Sequence, residues 1–331
     1  MQESKKIVMI YREPSSWVLK DIAILEEKYS IKPINFTKLG NTAKSLLDIL
    51  KSISDADLVY VWFAGDHSFF ARIFSKIFSK PMILAVGGGD VTKIDFLGYG
   101  GLFSSPWRWY VTGSVKNSDL ILCPSYFTCN EIISKIGRKE NLIVLYHGFD
   151  PYKFQPSGIK ENLVVTVANI DRITLFRKGL IYFVKAARYL PDAKFYLVGK
   201  AANNSIIYFL KSIAPRNVTF TGHLPEEELI KTLQRAKVYV QASLHEGFGC
   251  ALAEAMLTEC IPVVTKRGAL PEVVGPYGFY VPYGDPKLLA NAIRLAMESP
   301  DIGKKARDRI KTLFSLEKRK RNLLKIIERY I

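Results

Sequence analysis

Ten short apolar runs, separated by longer stretches of helical periodicity, constrain this chain more than any other feature of its sequence. Residues 7–11, 58–63, 82–86, 120–123 and 142–146 lie in the first half, and residues 163–168, 194–198, 218–221, 238–241 and 262–265 in the second. Most are β-branched and continuous instead of alternating, which is the pattern of a strand covered by helices on both faces. Two successive β/α series predict two doubly wound α/β domains, and 331 residues exceed what one hydrophobic core usually organises. The stretch 147–158 is dense in Pro, Gly and polar residues and is the expected boundary. The predicted division is an N-terminal domain at 1–155, a C-terminal domain at 156–310, and a basic helix at 311–331 packing back towards the first domain. In that helix Leu316, Leu323, Leu324, Ile327 and Ile331 recur at helical spacing among Lys and Arg.

Composition narrows the class. The chain is 48% hydrophobic and 24% charged, as ordinary folded proteins are. Its start is polar, the run at 7–11 is too short for a signal peptide, and no run reaches the about 18 apolar residues of a membrane span. Cys123, Cys129, Cys250 and Cys260 lack zinc-ligand spacing and read as reduced thiols. The expected location is cytoplasmic. The net charge of +16 is uneven: residues 1–150 hold 18 basic and 15 acidic side chains, and residues 303–331 hold 11 basic against 3 acidic. Such a distribution suits an anionic partner or a solvated basic helix.

The most informative segment is Val238-Tyr-Val-Gln-Ala-Ser-Leu-His-Glu-Gly-Phe-Gly-Cys-Ala-Leu-Ala-Glu254. A buried strand enters a turn bracketed by Gly247 and Gly249, then a run of strong helix formers. Glycine admits a ligand close to the backbone, and the first N–H groups of the helix favour an anion such as a diphosphate. Glu246 lies in the loop and Glu254 about one turn into the helix, so both can face one bound molecule. Glu254 suits a ribose diol and Glu246 the sugar hydroxyls near a reacting carbon. A helix-start charge and a solvated helix residue are the alternative roles for the two carboxylates.

With Gly247-Phe248-Gly249 between them, Glu246 and Glu254 resemble the Glu-x7-Glu signature of retaining glycosyltransferases of family 4 (glycosyl transferases group 1). Those enzymes have the GT-B fold, two Rossmann-like doubly wound domains facing across a cleft. Ser118-Asp-Leu-Ile-Leu-Cys-Pro-Ser125, His147-Gly-Phe-Asp150, Arg177-Lys-Gly-Leu180, Phe195-Tyr-Leu-Val-Gly199 and Val218-Thr-Phe-Thr-Gly222 agree with that family in order and spacing. The resemblance implies a donor site made of Gly247, Phe248, Gly249, Cys250, Ala251, Leu252 and Glu254, with Glu246, Lys178 and Arg172 as catalytic residues. Lys178 and Arg172 would hold the leaving diphosphate and replace a metal, so no metal or other cofactor is expected.

The first domain departs from the family. Residues 10–16 lack the glycine pair that usually follows the first strand, and Val86-Gly-Gly-Gly-Asp90 stands where many members have a His. His67, Gly88 and Asp90 are the acceptor-side residues expected instead. Residues 68–80 combine Phe69, Phe70, Ile73, Phe74, Ile77 and Phe78 with Arg72, Lys76 and Lys80, which fits either a core helix or one lying on an anionic membrane. Phe103, Trp107, Trp109 and Tyr110 suit a hydrophobic or carbohydrate acceptor. Asp55-Ala-Asp57 precedes its strand and reads as turn residues. The expectation is therefore a retaining hexosyltransferase that uses a UDP- or GDP-sugar and a glycan or lipid-linked acceptor, possible at the inner membrane face as a peripheral protein. A GT-B sugar-nucleotide epimerase and a basic nucleic-acid-binding protein are the alternatives, although no nucleic-acid module is present.

Overall fold

The computed structural model describes residues 4–39 and 43–331. Of the polar start at residues 1–6, Met1, Gln2 and Glu3 lie outside the described residues. The chain divides into two compact units, Met1–Gly148 with Leu316–Ile331, and Phe149–Ser315.

The sheet of the first unit has six parallel strands in the order β2-β1-β3-β4-β5-β6. They are β1 (Lys6–Tyr11), β2 (Ser30–Asn35), β3 (Leu58–Trp62), β4 (Met82–Ala85), β5 (Leu120–Cys123) and β6 (Leu142–Val144). Five coincide with apolar runs. The sixth, β2, carries Pro33 and buries Ile34 alone among its six side chains, as an edge strand can. Right-handed crossovers then fix which face each helix covers. Helices Ala43–Ser54, Asp66–Ile77, Trp107–Asn117 and Tyr126–Ile136 pack on one face through Ile49, Ile53, Ala71, Val111, Val115 and Ile132. Helices Ser16–Glu26 and Leu316–Ile327 cover the other through Val18, Leu25, Leu323 and Ile327.

One buried ion pair ties the C-terminal helix to this unit. The Arg319 guanidinium donates to both Asp21 carboxylate oxygens at 2.7 Å, and Tyr60 Oη and Trp62 Nε1 donate to the same carboxylate at 2.8 and 3.1 Å. A buried carboxylate is tolerable only when its lone pairs are satisfied in this way.

The second unit repeats the architecture with the order β12-β11-β10-β7-β8-β9. Its strands are β7 (Glu161–Val167), β8 (Lys194–Val198), β9 (Val218–Gly222), β10 (Ala236–Gln241), β11 (Ile261–Thr265) and β12 (Phe279–Val281). The three-residue edge strand β12 has no run of its own in the sequence. Numbered within the unit, this is the 3-2-1-4-5-6 order of dinucleotide-binding folds, and the first unit has the 2-1-3-4-5 order extended by one strand. Ligands bind such sheets outside the carboxyl ends of the strands, where the order reverses. Those places are β1/β3 in the first unit and β7/β10 in the second. Among the described residues no helix is long and apolar enough to cross a membrane, and all four cysteines are free thiols.

Candidate functional site

At the β7/β10 reversal three loops converge on Glu246. Buried β10 ends at Gln241, and the chain then turns so that Gln241 Nε2 and Ser243 Oγ each donate to Glu246 Oε1 at 2.9 Å. The second loop follows β7. Asp171 accepts the N–H groups of Ile173 and Thr174 at 2.8 Å and starts the short helix Arg172–Arg177. That helix ends at Lys178 and Gly179, whose φ of +67° is left-handed. A Cβ on Gly179 would lie 2.1 Å from the carbonyl oxygen of Ala242, so only glycine lets the turn lie against the loop after β10. Leu244 N–H donates to the Arg177 carbonyl at 2.8 Å and closes the two loops together. Lys178 Nζ is thereby brought onto Glu246 Oε1, from 68 residues away in sequence. The third loop follows β11: Thr265 Oγ1 donates to the Ser243 carbonyl, and Ala269 N–H to the Glu246 carbonyl at 3.0 Å.

The electrostatics favour an ionised Glu246. Burial opposes the charge, yet the cations of Lys178 and Arg177, with the hydrogen bonds from Lys178 and Ser243, outweigh it and hold the carboxyl below its ordinary range. Arg177 is a residue that sequence reasoning left without a role. Its signal was its place beside Lys178 in the Arg177-Lys-Gly-Leu180 segment.

Gly247 and Phe248 lead to Gly249, whose φ is +106°, and the helix Cys250–Leu257 begins with no side-chain cap. An uncapped first turn of eight helical residues faces the loop end with its N–H dipole, which suits an anion. Phe248 is buried, stacked on Phe149 at 5.8 Å and edge-on to Phe314 at 5.3 Å, so its part in the site is through the main chain. Leu252 is likewise buried, while Cys250, Ala251 and Glu254 are half-buried. The charges of Glu254 and Glu246 both reach the buried Tyr239 hydroxyl; burial chiefly, and then these charges, raise it well above its ordinary range. Arg172 is exposed at the first position of its helix and makes no ion pair with Glu246. The structure thus brings together Glu246, Lys178 and the 247–254 segment, and leaves Arg172 outside that cluster.

The β1/β3 reversal of the first unit holds a cavity of about 600 Å³. Arg12, at the end of β1, places its guanidinium 4.9 Å over the Trp107 ring and 5.6 Å from Phe36, and donates to Asp66 Oδ1 at 2.6 and 3.2 Å. This cation stands where the expected glycine pair is missing. His67 lines the cavity yet is almost fully buried, with Nε2 2.9 Å from the Trp62 carbonyl and Nδ1 3.4 Å from Asp66. Asp90 accepts the N–H groups of Ala64, Gly87 and Gly88 at 2.8, 3.0 and 2.9 Å. Enclosure pushes its carboxyl up, against the pull of those hydrogen bonds. Asp90 therefore pins the loop after β4 to the loop after β3. Phe63, between those loops, holds a φ of +70°, which is rare for a bulky side chain and marks stored strain. Gly87 leaves room for its ring, because a Cβ there would lie 2.6 Å from Phe63 Cε1. Among the described residues no group of three or more His, Cys, Asp or Glu side chains is arranged to hold a metal ion.

Residues 151–312 match the family described as glycosyl transferases group 1. The chain carries a glycosyl transferases group 1 domain. That domain coincides with the second unit and contains Lys178, Glu246 and the 247–254 segment. Among curated relatives, the MMP alpha-(1->4)-mannosyltransferase of Mycolicibacterium hassiacum is 35% identical over 42% of this chain and 34% of its own length. The GDP-mannose:cellobiosyl-diphosphopolyprenol alpha-mannosyltransferase of Xanthomonas campestris is 22% identical over 70% of this chain and 63% of its own. These matches span between about a third and just under two thirds of the relatives' lengths. Anabaena HepE, crystallised with UDP and glucose, superposes with a TM-score of 0.80 at 18% identity, covering 98% of this chain and 99% of that one. Sucrose-phosphate synthase from Thermosynechococcus elongatus gives the same score at 16% identity, covering 98% of both chains. The fold is GT-B.

Proposed function

We propose that this protein is a hexosyltransferase that takes a UDP- or GDP-sugar as donor and transfers the hexose, with retention of configuration, to a glycan or lipid-linked hydroxyl. The observation that carries this reading is the Lys178–Glu246 pair held beside the uncapped start of helix Cys250–Leu257 at the β7/β10 reversal. The diphosphate meets the backbone N–H groups after Gly247. Lys178 turns from Glu246 towards the leaving phosphate as negative charge develops there, with Arg177 as the second nearby cation. Glu246 orients the sugar hydroxyls, and Glu254 accepts the ribose diol. In this scheme the cations meet the charge of the leaving group without a metal.

The donor class is supported by the UDP named with HepE and the GDP-mannose named for the Xanthomonas relative. A lipid-linked acceptor is supported by the diphosphopolyprenol in that relative's name, and the first-unit cavity bordered by Trp107, Phe63 and His67 is its proposed seat. A thermal-shift screen over UDP-, GDP- and ADP-sugars tests the donor claim, because a ligand at about 100 times its Kd stabilises the folded state by roughly 2.7 kcal/mol. A shift for one nucleotide that disappears in Glu254→Ala supports it. No shift for any of them overturns it.

A further inference from the structure

We infer that the first unit docks on an anionic lipid surface through the paired helices Asp66–Ile77 and Trp107–Asn117, beside a cationic cavity that receives a head-group phosphate. The two helices meet through Phe69, since a Cβ on Gly113 would lie 2.6 Å from its ring, and through Ser68 Oγ and Ser114 Oγ at 2.7 Å. Ala71, Ser75, Val111 and Val115 face the sheet and are fully buried. The outer side is apolar as well: Ile73, Ile77 and Trp109 are 40%, 63% and 69% exposed.

The same two helices carry exposed cations. Arg108 and Lys116 are exposed, and neither has a salt bridge among the described residues. Lys76 reaches only Asn117, at 3.4 Å. At the C-terminal end of the first helix lies a cavity of about 480 Å³ with Arg72, Lys76 and Lys80 in its wall. Asp119 is its one carboxylate, and Arg72 at 2.8 and 3.2 Å and Met82 N–H at 2.7 Å already occupy it. The wall keeps a surplus of positive charge, which Asp57 near Lys80 offsets in part.

The combination selects the partner. A nucleic acid would match the cations but gain nothing from exposed Ile73 and Ile77. An anionic bilayer offers phosphates and hydrocarbon within 5–10 Å of each other. An indole such as that of Trp109 suits the boundary between them. The same two helices begin at the large cavity, through His67 and Trp107, so docking sets that cavity beside the bilayer. The surface is independent of the transfer reaction and is testable without turnover.

The test is co-sedimentation of the full chain with vesicles of phosphatidylcholine alone and with about 30 mol% phosphatidylglycerol. Binding to the anionic vesicles only, falling between about 0.1 and 0.5 M salt, is expected. Ile77→Ser with Trp109→Ser should weaken it roughly ten-fold, and so should Lys76→Glu with Lys80→Glu. Lys304→Glu with Lys305→Glu makes the same charge change on an exposed helix of the second unit and should have little effect. Absence of binding, or equal losses from the two charge-reversed pairs, would overturn the inference. All variants should keep the nucleotide-sugar thermal shift, which separates failure here from failure of the donor reading.

Discussion

Replacing Lys178 by Met removes one charge from the centre of the proposed donor site and nearly preserves its volume. Two effects of different size follow. In the resting protein Glu246, which is 9% exposed in its side chain, loses its cation. Stripping the partner from a buried ion pair costs about 3–5 kcal/mol when nothing else compensates. Here Gln241 and Ser243 still donate at 2.9 Å and the Arg177 charge remains. The loss should therefore be closer to the ~1–3 kcal/mol of an incompletely satisfied polar group.

In the reacting complex the cost is separate. A preorganised group that meets charge only as it develops contributes about 10²–10³ in rate, or ~2.7–4 kcal/mol. Urea denaturation measures the first effect. Release of nucleoside diphosphate from the donor chosen by thermal shift measures the second, at saturating donor so that binding is removed from the comparison. The expected Lys178→Met protein is folded, binds donor, and turns over slower by two to three orders of magnitude, roughly 10²–10³. Lys178→Arg should recover part of the rate. A folded Lys178→Met protein within about three-fold of wild-type turnover would refute the role assigned to this cation.

Three further outcomes are expected. Gly268→Ala forces a side chain into φ +60° with its Cβ 2.6 Å from the Glu246 carbonyl oxygen; it should cost at least about 2 kcal/mol and lower donor turnover, by urea titration and diphosphate release, although no charged group is changed. Asp21→Asn and Arg319→Met should each destabilise the first unit by about 3–5 kcal/mol in urea, and Asp21→Leu with Arg319→Met together by less than the sum of the two, because no unpaired charge remains although Tyr60 Oη and Trp62 Nε1 lose their acceptor. Burial first, and then the charges of Arg319 and Lys20, hold the His147 imidazole well below 6.5, so the folded protein keeps it neutral while the unfolded chain protonates it. Its contribution is complete above pH 6.5 and is lost as the pH falls towards the folded value. Thermal melts between pH 7.5 and 5.5 followed by Trp fluorescence should show the decline, and His147→Gln should flatten it.

What was legible in the sequence follows from how locally each feature is encoded. Ten strands were visible as apolar runs, chiefly because burial on both faces of the central ones leaves little room for polar side chains; the edge strands β6 and β9 are only partly buried. Two of the four edge strands were not: β2 pairs on one side only and keeps Pro33, and β12 is three residues long with Tyr280 partly exposed. In the second unit Glu246, the glycines and the helix start are contiguous, so the candidate donor segment could be read in one line. Lys178 needed the β7/β10 adjacency, and Arg177 went without a role because one of two neighbouring cations was credited with the work of both.

The first-unit cavity was harder for a physical reason. Its parts come from several separate stretches, residues 12, 63–67, 87–90 and 107, so no single window of sequence holds the whole of it. Arg12, Asp66 and Trp107 are dispersed along the chain, yet they form one stack of guanidinium on indole with a carboxylate clamp. The absence of a glycine pair after β1 looked like a missing part when read alone. In the fold the same position carries a cation fixed by two partners, in a wall that also contains the strained Phe63. Strain of that kind persists only where surrounding contacts over-determine it, and here Asp90 does so by binding Ala64 from one side and Gly87 and Gly88 from the other. Arg12 thus puts a fixed charge after β1, and Asp90 fixes the loops after β3 and β4 in the wall of the same cavity.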